Sequence, residues 1–485
     1  MTAISSTSGF AGDAAPAPNL AGPALLFAVI VAALTIQGDR LLADPDTHWH
    51  VRVGADIWRA KAVPWVDAYS HTFSGAPWIA KEWLSQLLMF GAHALGGEAG
   101  LVLAASLSVA LTFALVFACL AARIRTTTAL LLTLLALVLV TPHILARPHI
   151  FALLPLFFWT RGIVEAREAD RTPSLWLLAV LAIWANLHNS FTIAYPIAGA
   201  LALEALIAAP AEKRLEVALR WAGFGAAALL AGCVTPYGHH ALAVTFTMFG
   251  SGESLPYIGE WDPIGWNWTA ALALGSALLA LVALAAGGVR NSVRILLVGA
   301  LAAMMARHVR FLDVYAIVAP LVLVAPLVRR FPALRPETPD PASRWPLIST
   351  VGAVAAGLAA VVLTLGSTPR PSPLVTPQAA LEAARRLGVS GPVYNSYDYG
   401  GFLIARGVPT FIDGRTDQLF LGGFISTLMG AIADRADAPF LDFVERHGAT
   451  WAIAPTGGDE ARHFDASPAW PRIYRDEVAS VYVKR

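Results

Sequence analysis

The sequence predicts an α-helical polytopic membrane protein of about eleven spans that ends in a small C-terminal α/β soluble domain. Three observations predict it. Hydrophobic residues make up 56% of the chain and charged residues only 14%, against about 25% charged in average soluble domains. A soluble surface still needs charge, whereas lipid-facing surface must be apolar, so the bilayer accounts for the deficit and a larger soluble core does not. Eleven segments approach the ~20 apolar residues that a spanning helix needs. Beyond residue 376 the long apolar runs stop and short alternating segments replace them.

The eleven segments have cores at 22–42, 100–122, 128–143, 149–164, 174–188, 190–209, 218–235, 269–286, 293–308, 311–328 and 347–367. Residues 1–20 are rich in Ala, Ser, Thr and Pro and lack the basic start of a signal peptide, so they read as a flexible cytoplasmic tail. Basic residues follow every second span: Arg123 and Arg125; Arg161, Arg167 and Arg171; Lys213, Arg214 and Arg220; Arg290 and Arg294; Arg329, Arg330 and Arg335. Those loops are cytoplasmic by the positive-inside rule. The first loop and the C-terminal domain then lie outside, in a periplasm-like space.

The membrane region is thus expected over 21–367, with two long outer loops at 44–99 and 236–268. Trp49, Trp58, Trp65, Trp78 and Trp83 in the first loop, and Trp261, Trp266 and Trp268 in the second, read as interfacial tryptophans, with short amphipathic helices lying along the membrane. Pro369, Pro371, Pro373 and Pro377 mark a linker over 368–376. In the domain at 377–485, helices are expected at 378–387 and 439–447. Strands are expected at 393–395, 410–413, 450–454 and 480–483.

A net charge of +1 implies no bulk attraction to nucleic acid, and no nucleic-acid partner is expected. Cys119 and Cys233 sit in apolar runs as core thiols, with no disulfide framework. Ten of the 12 histidines precede residue 368, and His48, His50, His71, His93, His143, His149, His188, His239, His240 and His308 all fall at outer ends or in outer loops. Asp44 and Asp46 emerge as the first span ends. Glu82, Glu260 and Asp262 lie in the outer loops, and Arg147, Arg307 and Arg310 at outer span ends. Each alone reads as an interfacial charge or a structural ion pair. As a set, acids, bases and arginines gathered on one face of a membrane protein point to a site.

That set suits a particular chemistry. A carboxylate at the boundary can serve as general base for a hydroxyl acceptor. Guanidinium groups bind phosphate in two-pronged fashion and stabilise it as a leaving group. An apolar groove between helices holds a lipid tail. The alternative is a divalent metal held by Asp44, Asp46, His48 and His50, which leaves the cofactor open.

Several stretches resemble bacterial membrane proteins of the GT-C glycosyltransferase superfamily, the multi-span enzymes that use polyprenyl-phosphate sugars. They are Asp44-Pro-Asp-Thr-His-Trp-His50 followed by Gly54, Pro64, Asp67, Ser70, Trp78 and Glu82-Trp-Leu84, then Arg147-Pro-His149, Trp184-Ala-Asn-Leu-His188, Pro236-Tyr-Gly238, Glu260-Trp261 and Arg307 to Arg310. The likeness extends to protein O-mannosyltransferases, aminoarabinose transferases and the catalytic subunit of oligosaccharyltransferase. Ser396-Tyr-Asp-Tyr-Gly400 is similar to the acceptor-binding W-W-D-Y-G motif of the last, and Phe411-Ile-Asp-Gly-Arg-Thr416 follows it, but Ser396 and Tyr397 replace both tryptophans. The bland reading of Tyr397–Gly401 is a strand-to-helix turn.

The resemblance implies hexosyl or pentosyl transfer from a polyprenyl-phosphate-linked sugar to a glycan, lipid or protein acceptor at the bacterial cytoplasmic membrane, outside the cell. It makes Asp46 or Asp44 the base or a metal ligand. On that reading Arg147, Arg307 or Arg310 holds the donor phosphate. His48, His50, Glu82, His149, His188, Glu260, Tyr397 and Asp398 line the sugar and acceptor pocket. Two rival classes remain: a non-catalytic scaffold or lipid-binding assembly partner of the same fold, and a transporter. The absence of mid-span charges and of paired interrupted spans speaks against the transporter.

Overall fold

The computed structural model describes residues 21–250, 257, 259–265, 267–285, 292–336, 345–366 and 368–485, with backbone alone for 246–250, 260, 345–350, 353–354 and 364–365. The tail at 1–20 lies outside the described residues. Each of the eleven apolar segments is helical over most of its described part. In chain order the membrane region holds α1 (Ala21–Ile36), α2 (Gly38–Leu41), α3 (Thr47–Ala60), α4 (Trp83–Ala121), α5 (Thr126–Val140), α6 (His149–Glu168) and α7 (Trp176–Leu187). It continues through α8 (Ala194–Ala208), α9 (Arg214–Gly232), α10 (His240–Gly250), α11 (Trp268–Ala285), α12 (Ser292–Arg307), α13 (Leu312–Arg330) and α14 (Trp345–Gly366). Among the described residues, seven helical segments are long and apolar enough to cross a membrane. The segments expected at 22–42, 174–188 and 293–308 form shorter helices, α1, α7 and α12, of 16, 12 and 16 residues.

The first outer loop departs from expectation in two ways. Its last part, from Trp83, is already helix α4, which runs 39 residues with a break in helical geometry at Gly96 and Gly97. The amphipathic helix does form, as α3, but protein covers its apolar side. Trp49, Val53 and Ile57, spaced one turn apart, are buried. Trp49 and Trp78 are 6% and 3% exposed and meet edge to face, so they are core residues and not an interfacial belt. Trp261 is buried too, whereas Trp58, Trp65 and Trp268 are exposed.

The C-terminal domain contains α15 (Gln378–Arg386), β1 (Val393–Asn395), α16 (Gly400–Ala405), α17 (Phe424–Ala433), α18 (Asp437–Arg446), β2 (Trp451–Pro455), α19 (Asp459–Asp465), β3 (Arg472–Arg475) and β4 (Ala479–Val483). Its sheet has the order β1-β2-β4-β3, with β1 parallel to β2 and the other pairs antiparallel. The strand expected at 410–413 does not join this sheet. Asn395 captures it instead, its side-chain amide donating to Ile412 O and its carbonyl accepting from Phe411 N–H. Thr410 then bridges to Ser70 of the first outer loop.

That bridge belongs to a broad docking surface. The Thr72 hydroxyl donates to Phe411 O at 2.7 Å, and His71 Nε2 meets Val393 O at 2.9 Å. Gln418 clamps Ile79 in both directions, accepting from its N–H and donating to its carbonyl, each at 3.1 Å. Trp49, Val53 and Trp78 of the first loop share one buried apolar cluster with Tyr394, Phe411 and Phe420 of the C-terminal domain. Tyr237 holds the loop from the other side, accepting from Ala80 N–H and donating to Pro64 O.

At the end of the bundle away from this surface, Arg294 is buried. It reads from sequence as a loop charge, yet it donates to Glu204 at 2.8 Å and to Val322 O at 2.7 Å.

Candidate functional site

The site begins where the chain leaves α2. Asp46 occupies the N-cap position of α3, but its carboxylate makes no capping bond, although aspartate there usually binds the first free N–H groups. It turns inward instead. Oδ1 accepts from Trp49 Nε1 at 2.9 Å, and Oδ2 lies 2.9 Å from Arg147 Nη2. Asp44, 4% exposed, accepts from the Asp46 N–H through Oδ1 at 2.7 Å and from Arg147 Nη1 through Oδ2 at 3.2 Å. One guanidinium therefore spans both carboxylates. Arg147 lies just before Pro148, the N-cap residue of α6.

The C-terminal domain forms the facing wall. A Cβ at Gly414 would lie 1.8 Å from Asp46 Oδ1, and one at Gly401 would lie 2.0 Å from Pro45 O. Only glycine permits this closeness. Tyr397 hydrogen-bonds Thr416 Oγ1 at 3.2 Å, and its phenol is held above its usual pKa by burial and then by the charge of Asp46. Arg415 is buried between Asp413 and Asp67. Nε and Nη2 donate to the two Asp413 oxygens at 2.7 Å each, and Nη1 donates to Asp67 across the interface. Lys81 pairs with Asp417 across the same interface.

A second cluster adjoins the aspartates. Glu82 at the start of α4 lies 3.3 Å from His188 Nε2 and 3.9 Å from His50 Nε2, and Gln86 Nε2 meets His50 Nδ1 at 3.2 Å. His149 is fixed by His143 O at 2.7 Å and meets His188 edge to face. Arg310 lies over the Trp261 ring at 4.6 Å.

Two cavities meet among these groups. A polar one of about 280 Å³ is lined by Asp44, Asp46, Lys81 and Tyr397, with Asp398 at its exposed rim. An apolar one of about 160 Å³ is lined by Ala152, Leu153, Leu156, Ile193 and Val314, with His143 and His149 at its polar end. Arg147, Arg310, Glu82, His50 and His188 line both. The pair of cavities thus joins a charged head to an apolar groove.

The structure therefore gathers Asp44, Asp46, Arg147, Arg310, His50, Glu82, His149, His188, Tyr397 and Asp398 at one place. It sets two expected members apart. Arg307 is exposed at the end of α12 and lines neither cavity. His48 turns along α3 to Glu98, 3.5 Å away, because it sits two residues from His50 and so faces another side of the helix. The backbone of Glu260 lies in the turn Gly259–Trp261 next to Arg310, while its side chain lies outside the described residues. Sequence reasoning missed Lys81, Asp417 and Gln418 as residues of this wall. The dense polar run from Asp413 to Gln418 was the available signal.

The residues that the sequence offers to a divalent cation do not fit one. Asp44 and Asp46 face Arg147, His48 faces Glu98, and His50 faces Glu82. Among the described residues no group of three or more His, Cys, Asp or Glu is set to hold a metal ion.

The fold has a counterpart among solved structures. The chain is similar to the oligosaccharyltransferase of Archaeoglobus fulgidus crystallised with a tethered acceptor peptide containing the NVT sequon, with a TM-score of 0.55 and 12% identity over 95% of this chain and 74% of that one. It is also similar to the same organism's AglB in complex with an inhibitory peptide and a dolichol-phosphate, with a TM-score of 0.49 and 11% identity over 95% and 74%. No family model matches the sequence, and no curated protein matches it.

Proposed function

We propose that the protein is an inverting glycosyltransferase that moves a sugar from a polyprenyl-phosphate donor to an acceptor, on the face of the membrane that carries the C-terminal domain. The observation that carries the reading is the junction of the two cavities, where Arg147 and Arg310 stand between the aspartates and the apolar groove. The likeness in fold to an oligosaccharyltransferase supports sugar transfer as the class of reaction. The basic loops at the opposite ends of the spans support placing the site outside the cytoplasmic membrane of a bacterium.

In this mechanism the polyprenyl chain occupies the apolar groove and its phosphate meets Arg310, with Arg147 adding its charge from the other side. The acceptor enters along Tyr397, Asp398 and Thr416. Its hydroxyl oxygen attacks the anomeric carbon from the face opposite the phosphate and forms the new glycosidic bond. The carbon–oxygen bond to phosphate breaks, and its electron pair leaves with the polyprenyl phosphate. The hydroxyl proton passes to Asp46, which lies against the acceptor wall, while Asp44 and Trp49 fix Asp46 in place. His188, His50 and Glu82 line the sugar site between the two cavities. Stabilising charge that develops on the leaving phosphate is the largest task of such a site.

Purified protein in nanodiscs, incubated with a panel of polyprenyl-phosphate sugars and candidate acceptors, tests this. Wild type should release polyprenyl phosphate and glycosylate an acceptor. Asp46→Asn should lower turnover by roughly 10²–10⁴-fold, the usual worth of a general base, with unchanged thermal unfolding. Full turnover by Asp44→Asn/Asp46→Asn would remove the aspartates from the mechanism.

A further inference from the structure

We propose that Arg147 is the built-in counter-charge of the Asp44–Asp46 pair, standing where a divalent cation would otherwise bridge them, so that the site works without added metal. The consequence for turnover rests on the transfer reading above. The occupancy of the carboxylates does not.

All four carboxylate oxygens already face an N–H donor. Asp44 Oδ1 accepts from the Asp46 backbone at 2.7 Å, and Asp46 Oδ1 accepts from Trp49 Nε1 at 2.9 Å. Asp44 Oδ2 and Asp46 Oδ2 face the two terminal nitrogens of Arg147 at 3.2 and 2.9 Å. A Mg²⁺ or Ca²⁺ ion needs oxygen ligands at about 2.0–2.6 Å. It would have to displace Arg147 and then sit within a few ångströms of a guanidinium that does not lose its proton. Repulsion between like charges at that range, in a partly desolvated pocket, opposes it. The neighbouring histidines do not offset this, because His50 and His188 are engaged by Glu82 and His48 by Glu98.

A planar guanidinium also does something a metal would not. Its fork reaches both carboxylates, by a hydrogen bond from Nη1 to Asp44 and an ion pair from Nη2 to Asp46, and like Arg310 it lines both cavities. The donor phosphate would therefore meet two fixed cations of the protein. Lysine at this position would keep the charge and lose the fork.

Mn²⁺ titration of the full chain in detergent, read by electron paramagnetic resonance of the free ion, tests the proposal without needing turnover. Wild type should bind no more Mn²⁺ than Asp44→Asn/Asp46→Asn. Arg147→Ala should gain a saturable site at least about tenfold tighter than anything in wild type, the effect of removing a cation from beside two carboxylates. Arg147→Gln replaces it if the alanine variant fails to fold. Saturable Mn²⁺ binding by wild type that disappears in the double asparagine variant would overturn the proposal, as would no gain in the folded Arg147 variants. In the transfer assay, wild-type turnover should be unchanged by EDTA. Loss in EDTA with recovery on Mn²⁺ would also overturn it. Absence of transfer with every donor, alongside the expected Mn²⁺ pattern, would sink the transfer reading and leave this one standing.

Discussion

Replacing Arg415 with methionine should loosen the C-terminal domain from the membrane region. Arg415 is 1% exposed, and Asp67 and Asp413 are both 0% exposed at their side chains. Burial alone would lower the guanidinium pKa, but the two carboxylates outweigh it and hold the value above that of an ordinary arginine. The rings of Trp78 and Tyr69 lie 5.0 and 5.3 Å from the guanidinium carbon. Methionine fills similar volume but leaves two buried carboxylates without a counter-charge. Breaking a buried pair in this way costs about 3–5 kcal/mol. Most of that should fall on the interface, since Asp67 comes from the first outer loop and Asp413 from the C-terminal domain. Urea unfolding followed by tryptophan fluorescence, with limited proteolysis in detergent, measures it. The variant should unfold at lower urea and be cleaved near the linker at 368–376. Adding Asp67→Asn and Asp413→Asn should recover part of the loss, because no unpaired charge then stays buried. High salt should change little, since buried pairs are weakly screened. If the methionine variant unfolds and is digested like wild type, the buried triad does not hold the domain in place.

Other perturbations probe the site and the domain separately. Gly414→Ala should push the Asp46 carboxylate from its position, because the new Cβ would overlap Oδ1. A displacement near 1 Å costs roughly 10²-fold in rate, read as turnover in the transfer assay with the fold checked by thermal unfolding. Ala152→Leu in the apolar cavity should raise the KM for a polyprenyl donor several-fold and spare transfer from a short-chain analogue, if that groove holds the lipid. Glu460 supplies a pH signature. Burial raises its pKa to about 7, against the lowering effect of hydrogen bonds from Tyr394 and Ser396. A raised carboxyl pKa means the folded state binds more protons between the ordinary value and about 7. The stability that this group contributes is therefore fully present at low pH and is lost as pH rises through that window. Glu460→Gln should flatten the decline in unfolding temperature between about pH 5 and about pH 8. Equal slopes for variant and wild type would rule out Glu460 as the source.

Much of the candidate site was legible in the sequence because residue type and position at a span end are local properties. Asp44 and Asp46 stand out as carboxylates at a span end, and Arg147 and Arg310 as guanidiniums at other span ends. Charges there need a partner or a wet cavity, so their residue types alone nominate them. Their pairing was not legible. That one arginine would bridge both aspartates, while Arg307, three residues from Arg310, would face away from the cavities, depends on the rotation of α12 and the turn after it. Spacing in the sequence does not fix that rotation.

The division between what the chain states and what the fold decides follows from the range of the forces involved. Composition and apolar runs determined a helical membrane protein with a small α/β end, because satisfying backbone groups in lipid leaves an apolar chain little choice but helix. Periodicity placed β1, β2, β4, α15 and α18 near where they occur. Only the tertiary structure decided that Trp49 and Trp78 are core and not belt, since an indole suits a membrane interface and a protein interface equally well. Only it decided that residues 410–413 leave the sheet for Asn395 and the first outer loop. It also decided that the two glycines at 401 and 414 bring the C-terminal domain against the aspartates. Contacts between segments more than three hundred residues apart depend on shape complementarity, which no local pattern records.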